Sequence, residues 1–176
     1  MPTFARSKLL IENQCVTYRP KVEFTYAGPN PQNAYKKFLK ILLDDVKVPR
    51  ENVQEKFFKW DRSGPAEKFT AMWEAVKDFD KYSYMFLEVE MHGTVSPSEQ
   101  FGKEGSVSIS MQGIVRTEYP QDSTWERSFF YEILRTFYHK IFYEDSIKKY
   151  VSECRDWMLF IQSEMKSFFN ILQKDQ

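Results

Sequence analysis

A group of polar residues near the middle of the chain has the types and the spacing that could do chemistry. Glu88, Glu90 and His92 occupy alternate positions, so they would lie on one face of a β-strand. Arg116 and Glu118 are spaced in the same way on a later stretch. If the two stretches form neighbouring strands, Arg116 is expected to pair with Glu88 or Glu90 across them.

Three interpretations of this polar group are open. It can be a solvated sheet face with ordinary ion pairs. It can be the polar end of a cavity, where the guanidinium of Arg116 binds an acidic group. It can also hold a metal through two carboxylates and an imidazole, but no more specific ligand spacing accompanies it, and we predict neither a metal nor a cofactor. The sequence has no phosphate-binding glycine loop, nucleophile elbow, HExxH or CxxC motif, so no catalytic residue is predicted.

The overall composition narrows the class of partner. The 176 residues suit a single domain, 1–176, with a substantial core. The 25 basic residues balance the 25 acidic ones, which argues against a nucleic-acid binder. Aromatic residues make up 17% of the chain. So many rings indicate either a large core or a ring-lined ligand cavity, and both interpretations stay open.

Cysteine usage and the N-terminal sequence predict a cytoplasmic protein. Cys15 and Cys154 are far apart and form no disulfide framework or zinc pattern, so we expect two free, buried thiols. Residues 1–8 are not followed by a long apolar region, which indicates no signal peptide. No apolar run approaches the roughly 18 residues that a membrane span requires.

The elements that would position the polar group begin with a strand and a helix. Residues 1–7 are expected to be a flexible start. Alternating apolar residues over 16–26 predict a half-buried strand, which Pro20 places at a sheet edge or a bulge. Residues 30–46 predict a helix that starts at Asn30 and Pro31. The stretch 68–76 fits a strand or a helix; we favour a strand, since the turn signal at 61–65 would join it to a strand at 52–60 in a hairpin.

The polar group itself lies on two long predicted strands. Residues 82–92 alternate clearly, and residues 106–119 alternate with a bend or bulge expected at Gly113. Residues 93–105 are rich in serine, glycine and proline and predict a loop. The simplest arrangement of the two strands is an antiparallel pair.

The C-terminal stretch 123–172 contains neither glycine nor proline and predicts helix. Large apolar residues recur every four positions in its first part and at near-heptad spacing from Ile147. One helix of this length would extend about 75 Å, too long for a compact domain of this size, so we predict a kink or break at 143–146. The first part, 125–142, is expected to cover the sheet, and 147–176 to project or bind a partner. The predicted fold class is α+β, with a curved antiparallel β-sheet packed against a long, kinked or two-part C-terminal helix.

This order of elements resembles the helix-grip folds of the START and polyketide-cyclase-like superfamily. The strand at 16–26, the helix at 30–46, the strands up to Tyr119 and the helix from Trp125 carry the resemblance. Residues 117–121 and the tyrosine-rich helix after them are similar to uncharacterised archaeal members. The resemblance implies a sheet that grips its last helix, with an apolar cavity between them for lipids, hormones or polyketides. The chain departs from the family in having one helix after the first strand where two are usual, and fewer strands.

Three functions follow as hypotheses. The first is non-enzymatic binding of an apolar or amphipathic small molecule or lipid between the sheet and the C-terminal helix. The second is an interaction protein that forms a homo-oligomer or binds a partner through residues 147–172. The third is a cyclase-like or hydrolase-like enzyme that uses Glu88, His92 or Arg116. For the first, the candidate ligand-binding residues are Trp73, Phe86, Glu88, Arg116, Trp125, Phe129 and Phe137.

Overall fold

The computed structural model describes residues 7–16, 20–121, 129–138 and 143–174. The fold is α+β, as predicted, with an antiparallel sheet and a long C-terminal helix. The strands are β1 (Ser7–Gln14), β2 (Lys21–Pro29), β3 (Val53–Asp61), β4 (Glu67–Asp78), β5 (Ser83–Ser98) and β6 (Gly102–Gln121), and the α-helices are α1 (Asn33–Lys40), α2 (Phe129–Tyr138) and α3 (Glu144–Lys174).

The six strands form one antiparallel sheet in which β6, β5, β4 and β3 are successive neighbours. Strands β1 and β2 lie end to end along the free side of β6, with Gln14 opposite Ile114 and Lys21 opposite Gln112. The strand predicted at 16–26 begins only at Lys21, so Pro20 precedes β2 and lies between these two edge strands, not inside one of them. Residues 1–6 of the predicted flexible start lie outside the described residues.

Strand β4 resolves the choice between strand and helix in favour of the strand. Its buried positions alternate, and Phe69, Ala71, Trp73 and Ala75 are all nearly inaccessible to solvent. Alternation of this kind continues on β5 and β6, so the sheet has an inner face that meets the helices and an outer face that meets solvent.

The loop predicted at 93–105 is wrong, because β5 and β6 extend until only residues 99–101 connect them. Gly93 and Gly105 permit close packing between strands, whereas Gly102 follows the short turn directly and has a left-handed φ of 71°. A Cβ atom on Gly93 would lie 2.1 Å from the ring of Phe69, and one on Gly105 would lie 1.9 Å from the carbonyl oxygen of Thr94. Glycine is therefore needed here inside a strand pair.

The helix that follows β2 starts later than predicted. Asn30 has a left-handed φ of 50°, and α1 begins at Asn33 without a side-chain cap. The helix continues as a π-helical turn over Ile41–Asp45. Together they bury an apolar face against the sheet, made of Ala34, Phe38, Ile41, Leu42 and Val46.

The C-terminal stretch forms two helices, and α3 is the one that covers the sheet. Met158, Ile161 and Met165 belong to the buried core, and the ring of Phe169 stacks on Tyr26 at 4.3 Å. The expectation that residues 147–176 would project from the domain is therefore wrong, because α3 packs on the sheet; the partner contact expected of residues 147–172 stays a prediction. Of the segment 125–142, which was expected to cover the sheet, the structure describes Phe129–Tyr138, and Phe130, Ile133 and Phe137 are exposed on it. The apolar stripe of α3 is one-sided, so it suits a sheet contact. The predicted break at 143–146 falls at the start of α3, which begins at Glu144. Residues 139–142, between the two helices, lie outside the described residues.

The turn between β4 and β5 holds the start of α3 through what we call the Asp80 network. One carboxylate oxygen, Oδ2 of Asp80, accepts hydrogen bonds from the hydroxyls of Tyr143 (2.6 Å) and Tyr150 (2.9 Å). The hydroxyls of Tyr143 and Thr117 both lie within 2.8 Å of Ser83 Oγ. Since Ser83 and Thr117 are at most 1% exposed, these bonds satisfy polar groups that water does not reach.

A disulfide joins Cys15 to Cys154, with the two Cα atoms 5.6 Å apart. The prediction of two free thiols is therefore wrong, although both residues are buried as expected. The sulfurs meet above Gly113, where a Cβ atom would lie 3.1 Å and 3.2 Å from them and 2.5 Å from Met158 Sδ. Gly113 therefore makes room for α3, and its pairing with Leu87 runs through without the predicted bulge.

None of the helices in the described part of the chain combines the length and the apolar composition that a bilayer crossing requires.

Candidate functional site

The predicted ligand-binding residues of the sheet lie on opposite faces of it. Trp73 points to the inner face and is 1% exposed. Phe86 and Glu88 on β5 and Arg116 on β6 belong to the outer face, because they alternate with the buried core residues of those strands. The structure therefore does not bring Trp73 together with the other three.

Of the predicted ligand-binding residues of the C-terminal stretch, Phe137 is the one whose side chain the structure describes. Phe137 on α2 is 61% exposed. Trp125 lies outside the described residues, as does the side chain of Phe129. The described residues among these seven therefore do not line one cavity between the sheet and a helix.

The predicted cross-strand pair of Arg116 with Glu88 or Glu90 is wrong. The register places Arg116 opposite Tyr84 and Glu88 opposite Gln112. The guanidinium Nε of Arg116 donates instead to Glu12 Oε1 on β1 at 2.8 Å, and the guanidinium lies 4.0 Å above the ring of Phe86. Because β1 is the neighbour on the other side of β6, alternation alone could not identify this partner.

Glu90 and His92 do meet, since Nε2 of His92 lies 2.8 Å from Glu90 Oε1. The metal interpretation gains no support from this pair. Within residues 7–16, 20–121, 129–138 and 143–174, no group of three His, Cys, Asp or Glu side chains is arranged to hold a metal ion.

The inner face contains an apolar pocket at Trp73. The indole packs against the rings of Tyr35 and Phe38, with centroids at 5.1 Å and 5.3 Å. Its Nε1 atom is buried and has no hydrogen-bond acceptor. A buried donor without a partner costs about 1–3 kcal/mol, so this atom is unusual among the buried polar groups of a folded protein.

Strands β3 and β4 and the helical segment α1 with its π-helical turn contribute to this Trp73 pocket. Its volume is about 190 Å³. Half-buried Leu39, Leu43 and Val53 supply apolar contacts, whereas Arg50 and Glu55 are exposed. The lining residues are Leu39, Leu43, Arg50, Val53, Glu55 and Trp73.

The two charged residues of the pocket differ in their partners. The hydroxyl of Tyr35 donates a short hydrogen bond to Glu55 Oε2. Burial, followed by the hydrogen bond and negative charge of Glu55, raises the pKa of Tyr35 to about 12, so the phenol stays protonated. Arg50 takes part in none of the ion pairs among the described residues. The pocket is therefore lined by a cation and by the Trp73 indole, whose Nε1 atom is itself buried.

The sequence identified Trp73 but not the residues around it. Leu39 was expected on the apolar face of the helix, where the spacing of large residues marks it. Leu43 and Arg50 carry no such signal, because their place depends on the π-helical turn Ile41–Asp45 and the 3-10 turn Arg50–Asn52.

No protein-family model matches this sequence, and no curated protein is significantly similar to it.

Proposed function

We propose that the protein binds a small amphipathic molecule in the Trp73 pocket. The observation that carries this proposal is the buried Trp73 Nε1 atom, which has no acceptor in the protein. Because this atom is buried, a ligand acceptor would reach it only after a shift of the side chains that cover it, and the new hydrogen bond would recover the free energy lost on burying it. The surrounding leucine and valine side chains favour an apolar body for the same ligand.

The size of the pocket limits the ligand to about one ring or one short branched chain. A cavity of about 150 Å³ holds benzene, and the Trp73 pocket measures about 190 Å³. A lipid or polyketide would exceed this volume. The proposal thus keeps the small-molecule hypothesis but moves it from α3 to the space beside α1.

The presence of Arg50 in the pocket lining favours a ligand with an acidic group. Its guanidinium presents several donors in a planar fork that suits a carboxylate. Glu55 would repel a carboxylate, and the hydrogen bond from the neutral Tyr35 hydroxyl leaves that charge in place, so the ligand carboxylate would lie on the Arg50 side of the pocket. We therefore propose small aryl or branched-chain carboxylates as the ligand class.

Titration calorimetry with benzoate, phenylacetate and 3-methylbutanoate tests this proposal, with benzyl alcohol as a neutral control. Trp73→Phe keeps the ring and removes the N–H, so it should weaken binding of every ligand about tenfold, or about 1.4 kcal/mol. Arg50→Gln should weaken the carboxylates and leave benzyl alcohol unchanged. Trp157→Phe on α3 is the matched control and should bind like the wild type.

The proposal fails if none of these compounds binds saturably, or if Trp73→Phe binds them as tightly as the wild type. Native mass spectrometry of protein purified from its own source gives a second test. A co-purified mass that exceeds what about 190 Å³ can enclose would also contradict the proposal.

We also propose that the chain is related to the helix-grip folds. The antiparallel sheet, the helix after the edge strands and the long C-terminal helix on the inner face support it. A solved structure of a relative that shares the register of β6 with both β1 and β2 would test it.

Self-association is a second candidate function, and one surface favours it. On α2, the side chains of Phe130 and Phe137 are 72% and 61% exposed, and Ile133 lies between them at 39%. Such a cluster of exposed large apolar residues is typical of an interaction surface. We propose that a second copy of the chain covers it, and sedimentation over a range of concentrations tests this.

The cytoplasmic prediction rested on free thiols and on the N-terminal sequence, and the disulfide removes the first of these reasons. Disulfides persist mainly in oxidising compartments, so we propose such a compartment for this protein. Rapid alkylation of thiols in intact cells, followed by mass spectrometry, should leave Cys15 and Cys154 unlabelled. Complete labelling of both would restore the cytoplasmic prediction.

A further inference from the structure

A hydroxyl, an imidazole and a carboxylate lie in hydrogen-bond contact on the outer face of the sheet. Thr70 on β4 is directly opposite His92 on β5, and Thr70 Oγ1 lies 3.2 Å from His92 Nδ1. On the other side of the ring, His92 Nε2 lies 2.8 Å from Glu90 Oε1. We call these three residues the Thr70 row.

The chemistry of the partners determines the tautomer of the imidazole. A carboxylate only accepts hydrogen bonds, so Nε2 of His92 carries the proton that Glu90 accepts. In the neutral ring, Nδ1 then has a lone pair and accepts the proton of the Thr70 hydroxyl. A hydroxyl that donates to an imidazole, which is in turn oriented by a carboxylate, is the arrangement of an activated oxygen nucleophile.

The Thr70 row borders an open depression of about 250 Å³ on the outer face. Beneath it runs a cross-strand line of backbone formed by Phe69, Gly93 and Val107. Side chains with hydroxyl groups dominate its walls. They are Thr25, Thr70, Thr94, Ser106 and Ser108, with Lys68 and His92 beside them.

Donors for a developing negative charge are present in the same depression. Lys68 precedes Thr70 by two residues on the same face of β4, and Thr94 lies directly opposite Lys68. Ser108 lies directly opposite His92. An ammonium group and two hydroxyls can therefore stabilise an oxyanion that forms next to Thr70.

We propose that the Thr70 row hydrolyses small carboxylic esters by acyl transfer. Thr70 Oγ1 attacks the ester carbonyl carbon while its proton moves to His92 Nδ1. The tetrahedral intermediate then expels the alcohol, which takes that proton from His92. A water molecule, deprotonated by His92, hydrolyses the acyl-threonine and releases the acid, so that the hydroxyl of Thr70 is restored. Thr70 and His92 are the catalytic residues, and Glu90 is a positioning residue.

The experiment uses the full chain and p-nitrophenyl acetate as the probe. Release of p-nitrophenolate should show a burst of about one equivalent, and mass spectrometry should find one acetyl group on the peptide that contains Thr70. Positioned general bases contribute about 10²–10⁴-fold to such reactions. Thr70→Val, which keeps the β-branch, should remove both the burst and the acetyl group.

Two histidine variants separate this site from the background reactivity of imidazole. His92→Ala should slow acetylation of Thr70 about a hundredfold or more, and free imidazole should restore part of it. His139 is the only other histidine of the sequence. His139→Asn should therefore leave the burst and the acetyl group on Thr70 unchanged.

Glu90→Gln tests the positioning role. It should lower the burst rate several-fold and leave the burst amplitude unchanged, because the nucleophile is still present. A loss of amplitude in proportion to unfolded protein would indicate a structural role only.

The proposal is overturned if Thr70→Val hydrolyses the probe as fast as the wild type, or if acetyl groups appear on lysines alone. Circular dichroism of each variant shows that it is folded. Thr70→Ser serves as the rescue variant, because it keeps the hydroxyl and should retain the burst even if Thr70→Val unfolds in part. Absence of the burst in a folded Thr70→Ser protein would contradict the role of the hydroxyl.

Discussion

Helices α3 and α2 come from one glycine-free and proline-free stretch, yet they place their large side chains differently. On α3, Met158, Ile161 and Met165 are at most 1% exposed. On α2, Phe130 and Phe137 are mostly exposed. Both helices have abundant apolar residues, so apolar content does not decide which one is buried.

The difference between the helices lies in what holds each of them to the sheet. Helix α3 has a one-sided stripe, a disulfide through Cys154 and the Asp80 network at its start. Its ring contacts are equally specific, since Phe79 stacks on both Tyr150 and Trp157. A segment is therefore fixed to a sheet by an ordered set of contacts on one side, and bulk on every side does not achieve this.

The largest expected effect comes from a matched pair of phenylalanines. Phe169→Ala on α3 removes a ring that stacks on Tyr26 and should lower the free energy of unfolding by about 3–5 kcal/mol. Phe130→Ala on α2 should change it by less than about 0.5 kcal/mol. Urea denaturation measures both, and equal losses would contradict the contrast between the helices.

The disulfide should have the next largest effect. Cys15→Ala with Cys154→Ala removes the covalent link between β1 and α3 and should cost about 2–4 kcal/mol. Reduction of the wild type with dithiothreitol should cost a similar amount, whereas the double variant should not respond to the reductant. A wild type whose unfolding is the same with and without reductant would show that the link does not stabilise α3.

The Asp80 network should contribute less and should depend on pH. Burial by itself would raise the pKa of Asp80, but hydrogen bonds from Tyr143, from the Tyr82 amide, from Tyr150 and from the Ser83 amide outweigh it and lower the pKa. Asp80→Asn should lower the free energy of unfolding by about 1–2 kcal/mol at pH 7. The loss is modest because Asp80 is partly exposed, and solvent weakens the interactions of its charge.

The sign of the pH effect follows from this lowered pKa. The contribution of Asp80 is fully present above its unfolded pKa of about 3.9 and is lost as the pH falls through the folded value. Thermal unfolding from pH 7 to pH 2 should therefore show the wild type and Asp80→Asn converging only below about pH 4. Convergence at higher pH, or a constant difference down to pH 2, would contradict the assigned shift.

The smallest effect on stability is expected on α2, where a different property should change. The double variant Phe130→Ser, Phe137→Ser should shift the free energy of unfolding by less than about 1 kcal/mol. It should also abolish any self-association that the wild type shows in sedimentation. Loss of stability comparable with Phe169→Ala would mean that α2 is packed as tightly as α3.

Local patterns predicted β4, β5 and β6 because each of these strands has one buried face. The alternation of Phe69, Ala71 and Trp73 identified β4 correctly, and the long strands 82–92 and 106–119 were found for the same reason. Gly93 and Gly105 misled the prediction, since glycine marks a loop locally but here accommodates a ring and a neighbouring carbonyl. That second use of glycine depends on contacts between strands, which the sequence does not display.

Pairing across the sheet was the part that sequence could not supply. The guanidinium of Arg116 binds Glu12, a residue 104 positions away, and Cys15 meets Cys154 across 139 positions. Trp73 was identified as a ligand-binding candidate. Its pocket also requires Leu43 from a π-helical turn and Arg50 from a 3-10 turn. The residues that meet at such a site depend on long-range strand register and on irregular turns. Sequence periodicity indicates only which residues share one face of a strand or helix.

The bond between Cys15 and Cys154 also restricts how two copies of the chain could exchange parts. It closes a covalent ring that contains β2 to β6, α2 and the start of α3 up to Cys154, so this part of α3 cannot leave its own sheet and insert into that of another molecule while the ring is intact. Domain swapping of the whole of α3 would require reduction first. In the oxidised protein, exchange is restricted to the segments outside the ring, which are β1 and the part of α3 after Cys154.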